Sequence, residues 1–466
     1  MRWQFLASAL AAATVIDAAP DRYRRSAPPT QPLAHRGVPF DKWTRDGPVA
    51  KQFASSNTTK YAINGTGIPD VDFDIGEAYA GQMSISDDLD GPDKFYFWFQ
   101  PSPNPAAKKE IVIWLNGGPG CSSLEGFLQE NGPFLWQYGT FKPVPNPWGW
   151  HHLTNMLWVE QPINTGFSTG NVTAKDEEDV ARQFMGFFKN FINTFSMQGY
   201  KVYITGESYA GMYCPYIASA MLDAKDKTYF NMKGMIIYDP SIGPDRLSDI
   251  NAVPFTDYHH NLFPFNESFT RHLHDVDRRA PLSTLTVRDV KKAINAPLDR
   301  KWAECGGPVF VKGGDQSPPS SNTVLGGVVD RTKNVIIGHG ALDFILLANG
   351  TLMSIQNMTW GGRLGFLRKP VEPFYVPYHT RGEDATIAAA GVFGTTHTER
   401  GLTYVGVALT GHMVPQYAPS AAFRHVEVML GRVKSLSSRE PFTTDSKFPQ
   451  PDGPLGKGTA PPGYNE

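Results

Sequence analysis

Seven short runs of apolar, β-branched and aromatic residues punctuate the chain: KFYFWFQ at 94–100, EIVIWLN at 110–116, NMLWVEQ at 155–161, KVYITGE at 201–207, GMIIYDP at 234–240, NVIIGHG at 334–340 and TYVGVALT at 403–410. Their length and near-continuous hydrophobicity predict buried strands. Between them the period changes. In DEEDVARQFMGFFKNFINTF, 176–195, Val180, Phe184, Phe187, Phe188, Phe191 and Phe195 share one helical face, and Asp176 stands where a cap belongs. Strands alternating with helices predict an α/β fold with a mostly parallel central sheet covered by helices.

The rhythm lapses over 241–304, where DYHHNLFPFNESFTRHLHDVDRRAPLSTLTVRDVKKAINAP reads as loop and short helices inserted between two strands. Such an insertion beside strand ends forms a lid or one wall of a pocket. The main domain is then expected at 51–240 and 305–435, with 241–304 as the cap. Pro, Gly and Ser accumulate over 436–466 with no apolar tail, which predicts disorder and no lipid anchor.

Composition narrows the function classes. A chain of 466 residues with 41% hydrophobic content can bury a large core, and 43 basic against 45 acidic residues give no electrostatic reason to expect nucleic acid or an anionic membrane. Residues 1–19, MRWQFLASALAAATVIDAA, have the basic start, apolar run and small residues of a signal peptide, too short to span a membrane. The basic, Pro-rich stretch after it makes 20–50 a candidate pro-segment. Glycosylation acceptors follow the Asn-x-Ser/Thr pattern at Asn57, Asn64, Asn171, Asn266, Asn349 and Asn357. Three cysteines, Cys121, Cys214 and Cys305, allow at most one intramolecular disulfide in an oxidising compartment, and their spacing excludes a zinc-type cluster. The adjacent histidines 151–152 and 259–260 read as solvated loop residues, so no metal and no cofactor are expected.

Candidate chemistry begins at KVYITGESYAGMYC, 201–214, where Ser208 sits between a strand and a helix. The sequence nearly fits G-x-S-x-G, with Ala210 in place of the second glycine; a small residue there still permits close helix–strand packing. A serine hydroxyl needs a base and an orienting carboxylate. In an α/β-hydrolase order these follow as Asp and then His, each beyond the end of a later strand, which Asp343 and His412 satisfy. Alone, Asp343 reads as a helix cap and His412 as a loop histidine; order and placement join them. WLNGGPGCSSLEGFLQENGP, 114–133, is either a Gly/Pro turn after a strand or an oxyanion-binding loop.

WLNGGPGCSSLEGFLQENGP, VEQPINTGFS (159–168), GESYAG (206–211), GALDF (340–344) and GHMVP (411–415) together resemble the serine carboxypeptidases over most of 51–435, and IGHGALDFILLANGTLMSIQNMTWGG (337–362) resembles most their fungal secreted or vacuolar branch. The resemblance implies an α/β-hydrolase fold and removal of single C-terminal residues from peptides and proteins. It implies Ser208 as nucleophile, His412 as general base and acid, Asp343 as the orienting carboxylate, and the N–H groups of Gly118 and Tyr209 as the oxyanion hole. Asn116, Gly117, Glu130 and Glu207 match the group that grips the substrate's terminal carboxylate, and Cys121 and Cys305 match a family disulfide, leaving Cys214 as a buried thiol. Glutamates beside a carboxylate substrate are plausible only if Glu130 and Glu207 share a proton, which predicts binding best at acidic pH.

The chain departs from the family in its short, cysteine-free insertion. That departure leaves an inactive homologue as one alternative, and an acyltransferase or lyase that keeps the triad as another; retention of both glutamates argues for the peptidase. Secretion and vacuolar delivery share an export signal. Side-chain preference and oligomeric state are not legible.

Overall fold

The computed structural model describes residues 51–137, 140–244, 303–379, 381 and 390–444, with short pieces within 255–268. The proposed signal peptide and pro-segment, most of the insertion and residues 445–466 lie outside the described residues.

Eleven strands form one sheet. They are β1 (Ala62–Ile63), β2 (Ala78–Ser84), β3 (Lys94–Gln100), β4 (Glu110–Leu115), β5 (Asn155–Glu160), β6 (Lys201–Glu207), β7 (Asn231–Tyr238), β8 (Val335–Gly340), β9 (Glu372–Val376), β10 (Gly391–Glu399) and β11 (Leu402–Val407). Their spatial order is β1-β2-β3-β5-β4-β6-β7-β8-β11-β10-β9. The centre, from β5 to β11, is parallel, and antiparallel strands extend both edges. All seven apolar runs are strands of this sheet, six of them its parallel core.

Side-chain alternation divides the sheet between two cores. Ile111, Ile113 and Leu115 face one side with Phe95, Phe97 and Phe99, while Val112 and Trp114 face the other with Tyr96 and Trp98. On the first side lies α1 (Glu177–Phe195), whose Asp176 side chain accepts from the Asp179 N–H and whose aromatic stripe is buried as its spacing predicts. Burying one such phenylalanine contributes roughly 1.5–3 kcal/mol. Beside it pack α2 (Ala210–Ala224) and α3 (Leu325–Thr332). The other side is covered by α4 (Pro419–Met429) and four tryptophans, Trp98, Trp114, Trp150 and Trp158. Pro215 inside α2 cannot donate to the carbonyl of Gly211, and the Ser320 hydroxyl donates to it instead at 2.6 Å.

The expected disorder from 436 onward is corrected up to residue 444. Leu436 and Phe442 are buried, with Phe442 against Trp148, Phe423 and the guanidinium groups of Arg381 and Arg424. Glu427 accepts from the Thr443 N–H and hydroxyl, so a side-chain network overrides a segment of weak intrinsic preference. The histidine pair at 151–152 is likewise less solvated than expected: His151 is buried in a turn.

Candidate active site

Strands β4, β6, β7, β8 and β11 all end at the same edge of the parallel sheet, and each delivers part of one site. After β6 the chain turns through Ser208, which has φ of 59°, a left-handed conformation that a non-glycine residue adopts at a cost. The turn is tied down by the Ser208 N–H donating to Tyr238 O and by its carbonyl accepting from Gly211 N and Ser241 N, all at 2.9 Å. Ser208 is half-buried, and Ala210 is fully buried at the start of α2. The missing glycine is therefore tolerated because a methyl fits there.

The loop after β4 lies directly on this turn. A Cβ on Gly117 would stand 2.5 Å from Tyr209 N and 2.7 Å from Ser208 Cβ, so only glycine permits the approach. Gly118 has φ of 108°, open to glycine alone. Among the described residues no acceptor takes the N–H of Gly118 or of Tyr209. Two free backbone donors beside a serine can stabilise a negative oxygen. The Tyr209 ring is held by its hydroxyl, which donates to Asp315 at 2.5 Å.

Asp343 and His412 come together as the chain order predicts. His412 Nδ1 is 2.9 Å from Asp343 Oδ2, and the other Asp343 oxygen accepts from Ile345 N at 2.8 Å. Burial opposes a charge on either group, yet both ionise more readily than usual. Hydrogen bonds from His339 and His412 hold Asp343 below the carboxylate range, and the bond and charge of Asp343, with Glu207, raise His412.

Beside Ser208 lies a buried acidic cluster. Asn116 donates to Glu207 Oε1 at 2.8 Å, and its own oxygen accepts from Trp114 Nε1 at 2.6 Å and Gly126 N at 3.2 Å, which fixes the amide orientation. Glu130 and Glu207 are buried to 2% and 4% exposure. Neither oxygen of Glu130, nor Glu207 Oε2, meets a donor among the described residues when both are taken as carboxylates. Their mutual contact becomes a hydrogen bond only when one is protonated. Burial, and next the neighbouring carboxyls, push both well above the usual range.

A disulfide joins Cys121 and Cys305, and Cys214 is a buried thiol on α2. The six acceptor asparagines, Asn57, Asn64, Asn171, Asn266, Asn349 and Asn357, are all exposed. Sequence reading missed three carboxyl or imidazole groups here. Glu125 is pushed up to about 10 by burial, Glu207 and Glu304. Asp239 and His339 lie behind Asp343 with no exposure. Both stand at the ends of apolar runs, a position that by itself does not link them to Asp343.

The sheet, the strained serine turn after its central strand and the later Asp and His define an α/β-hydrolase. A family model described as serine carboxypeptidase matches residues 69–278 and 267–432. A probable serine carboxypeptidase of Arthroderma benhamiae is 47% identical, covering 87% of this chain and 93% of its own length. A carboxypeptidase Y homolog of the same fungus is 44% identical over 85% and 92% of the two chains. Serine-type carboxypeptidase F of Aspergillus niger is 36% identical over 89% and 95%. The solved structure of a prohormone-processing carboxypeptidase from Saccharomyces cerevisiae superposes with a TM-score of 0.66 at 22% identity, covering 81% of this chain and 96% of that one, and supports the fold.

The chain belongs to the serine carboxypeptidase family and is a serine-type carboxypeptidase, a hydrolase acting on peptides. These relatives do not favour the acyltransferase, lyase or inactive alternatives. The two family matches meet at 267–278, inside the short insertion. No described helix is long and apolar enough to cross a membrane.

Proposed function

We propose that the protein removes single residues from the C-termini of peptides and proteins through an acyl-enzyme on Ser208, working best at acidic pH. His412 takes the Ser208 proton as the hydroxyl oxygen attacks the last peptide carbonyl. The developing oxyanion accepts from the N–H groups of Gly118 and Tyr209. When the C–N bond breaks, His412 returns the proton to the leaving amine; water then enters, gives up a proton to His412 as its oxygen attacks the acyl carbonyl, and His412 passes that proton to the Ser208 oxygen as the new acid leaves. Asp343 keeps Nδ1 of His412 protonated so that the other nitrogen faces the chemistry.

The observation that carries exopeptidase action is the buried Glu130–Glu207 pair beside Ser208. With one proton between them, the pair donates to a substrate carboxylate alongside the Asn116 amide and the backbone at Gly117. Protonation of the pair also withdraws the negative charge that raises His412, so binding and general-base capacity both survive in acid.

Secretion, or delivery to a vacuole, fits the export-type start at 1–19. The disulfide suits an oxidising compartment, and the exposed acceptor asparagines are proposed to carry N-linked glycans. Ser208→Ala tests the chemistry: it should abolish release of the C-terminal residue from a blocked dipeptide at acidic pH and abolish labelling by a serine-directed organophosphate. Retained labelling refutes Ser208 as nucleophile.

A further inference from the structure

Behind the triad the structure holds a second acid–imidazole pair that takes no part in the proposed proton transfers. Asp239 follows β7 and His339 lies near the end of the adjacent strand β8, four residues before Asp343. Both have no exposure. Asp239 has φ of 44°, its N–H donates to Gly338 O at 2.8 Å, and its Oδ1 accepts from Gly340 N at 2.7 Å, so the residue is pinned across two strands. His339 Nε2 is 2.6 Å from Leu346 O, 3.4 Å from Asp239 Oδ1 and 3.5 Å from Asp343 Oδ2. A carbonyl only accepts, so Nε2 carries the proton and donates it to Leu346 O, which fixes the ring with that edge against the two carboxyl oxygens. One oxygen from each aspartate and one nitrogen of His412 all lie within 4.8 Å of one another.

We infer that Asp239 and His339 are positioning residues for the triad, Asp239 as a neutral acid that donates to Asp343 and His339 as the imidazole, anchored on Leu346 O, that packs against both carboxyls and holds them in place. Two carboxylates this close cannot both hold a charge away from water, so one proton must be shared between them. Its location follows from the donors. Asp343 already accepts from His412 and Ile345, while Asp239 has Gly340 N as its close donor and leaves Oδ2 without a partner among the described residues. The proton therefore sits on Asp239, which then supplies Asp343 with a further hydrogen bond and keeps it the better acceptor for His412. Burial and the Asp343 charge push Asp239 well above the carboxylate range, in agreement with this geometry. The other titratable groups facing the cluster are Glu207, which acts on both Asp239 and His412, and the buried phenols of Tyr238 and Tyr404, both raised and neutral. The Tyr238 hydroxyl is in turn bonded to His425 at 3.0 Å.

The inference rests on the triad proposed above, and the test separates the two. Ser208→Ala removes activity if the triad is right, whatever Asp239 does. Asp239→Asn replaces one neutral donor by another, so kcat should stay within a few-fold of wild type and the acid limb of kcat/KM, which reports His412, should not move. Asp239→Ala removes the donor and should lower kcat tenfold or more with KM for a blocked dipeptide little changed. An ionised Asp239 gives a different result: Asp239→Asn would then delete a negative charge near His412 and move the acid limb down by a unit or more, which overturns the proposal. Equal loss in the Asn and Ala variants also overturns it. His339→Gln serves if the Asp239 variants fail to fold; it retains an N–H donor, so it should keep more activity than His339→Ala, and indistinguishable variants would refute the positioning role.

Discussion

The proposed sharing of one proton between Glu130 and Glu207 makes a quantitative demand on substrate binding. Replacing both by glutamine keeps volume and hydrogen-bonding capacity but removes the proton that can be lost. In the wild type the competent pocket holds at least one proton, and above the pair's apparent pKa the fraction of competent enzyme falls tenfold per pH unit, so KM should rise with that limiting slope. A charge-assisted hydrogen bond from the protonated carboxyl to the substrate carboxylate is worth about 1.5–3 kcal/mol, or roughly 10–100-fold in affinity. Its loss sets the scale of the weakening. Glu130→Gln/Glu207→Gln should therefore bind a blocked dipeptide within about tenfold of wild type in acid, with a markedly flatter rise in KM towards neutral pH. The assay is kcat and KM for dipeptide hydrolysis from acid to neutral pH. A rise in KM with the wild-type slope in the double variant would refute proton sharing as the basis of carboxylate binding.

Further outcomes follow from the same geometry. Because burial raises both glutamates in the folded state, the stability that they contribute is fully present below the unfolded pKa, near 4.3, and is lost as pH rises through the folded values; the double glutamine variant should overtake wild type in thermal midpoint as pH increases. Removing the disulfide with Cys121→Ser/Cys305→Ser opens a link across 184 residues and should cost on the order of 2–5 kcal/mol, read from urea unfolding. Phe442→Ala should destabilise by about 3–5 kcal/mol through the cavity left under Arg381 and Arg424, while KM for a dipeptide stays put.

How far the sequence carried depended on whether a feature is local. Strands β3 to β8 and β11 read directly from continuous apolar runs because both their faces are covered, and α1 reads from its phenylalanine stripe. Chain order placed Ser208, Asp343 and His412 beyond strand ends, and the structure brings Asp343 and His412 to 2.9 Å. Strand β10 was not legible: GVFGTTHTE has two glycines and several exposed side chains, and its pairing with β11 and β9 makes it a strand. Phe442 was hidden in a Pro- and Gly-rich tail because its partners, Trp148 and Arg381, lie far away in sequence. Asp239 and His339 escaped for a related reason, since their meaning depends on a contact with Asp343 that no spacing rule reports.

Glu207 and Ser208 are consecutive residues, and this adjacency has a consequence for what the enzyme can count. On the proposed assignment, the residue that holds the end of the substrate and the residue that cuts it are separated by one peptide unit, about 3.8 Å between Cα atoms. The span from scissile carbonyl to terminal carboxylate in a peptide is also a single residue. On that assignment part of the cleavage register is written into the covalent chain of the enzyme, a ruler with one graduation that the length of the rest of the substrate does not change.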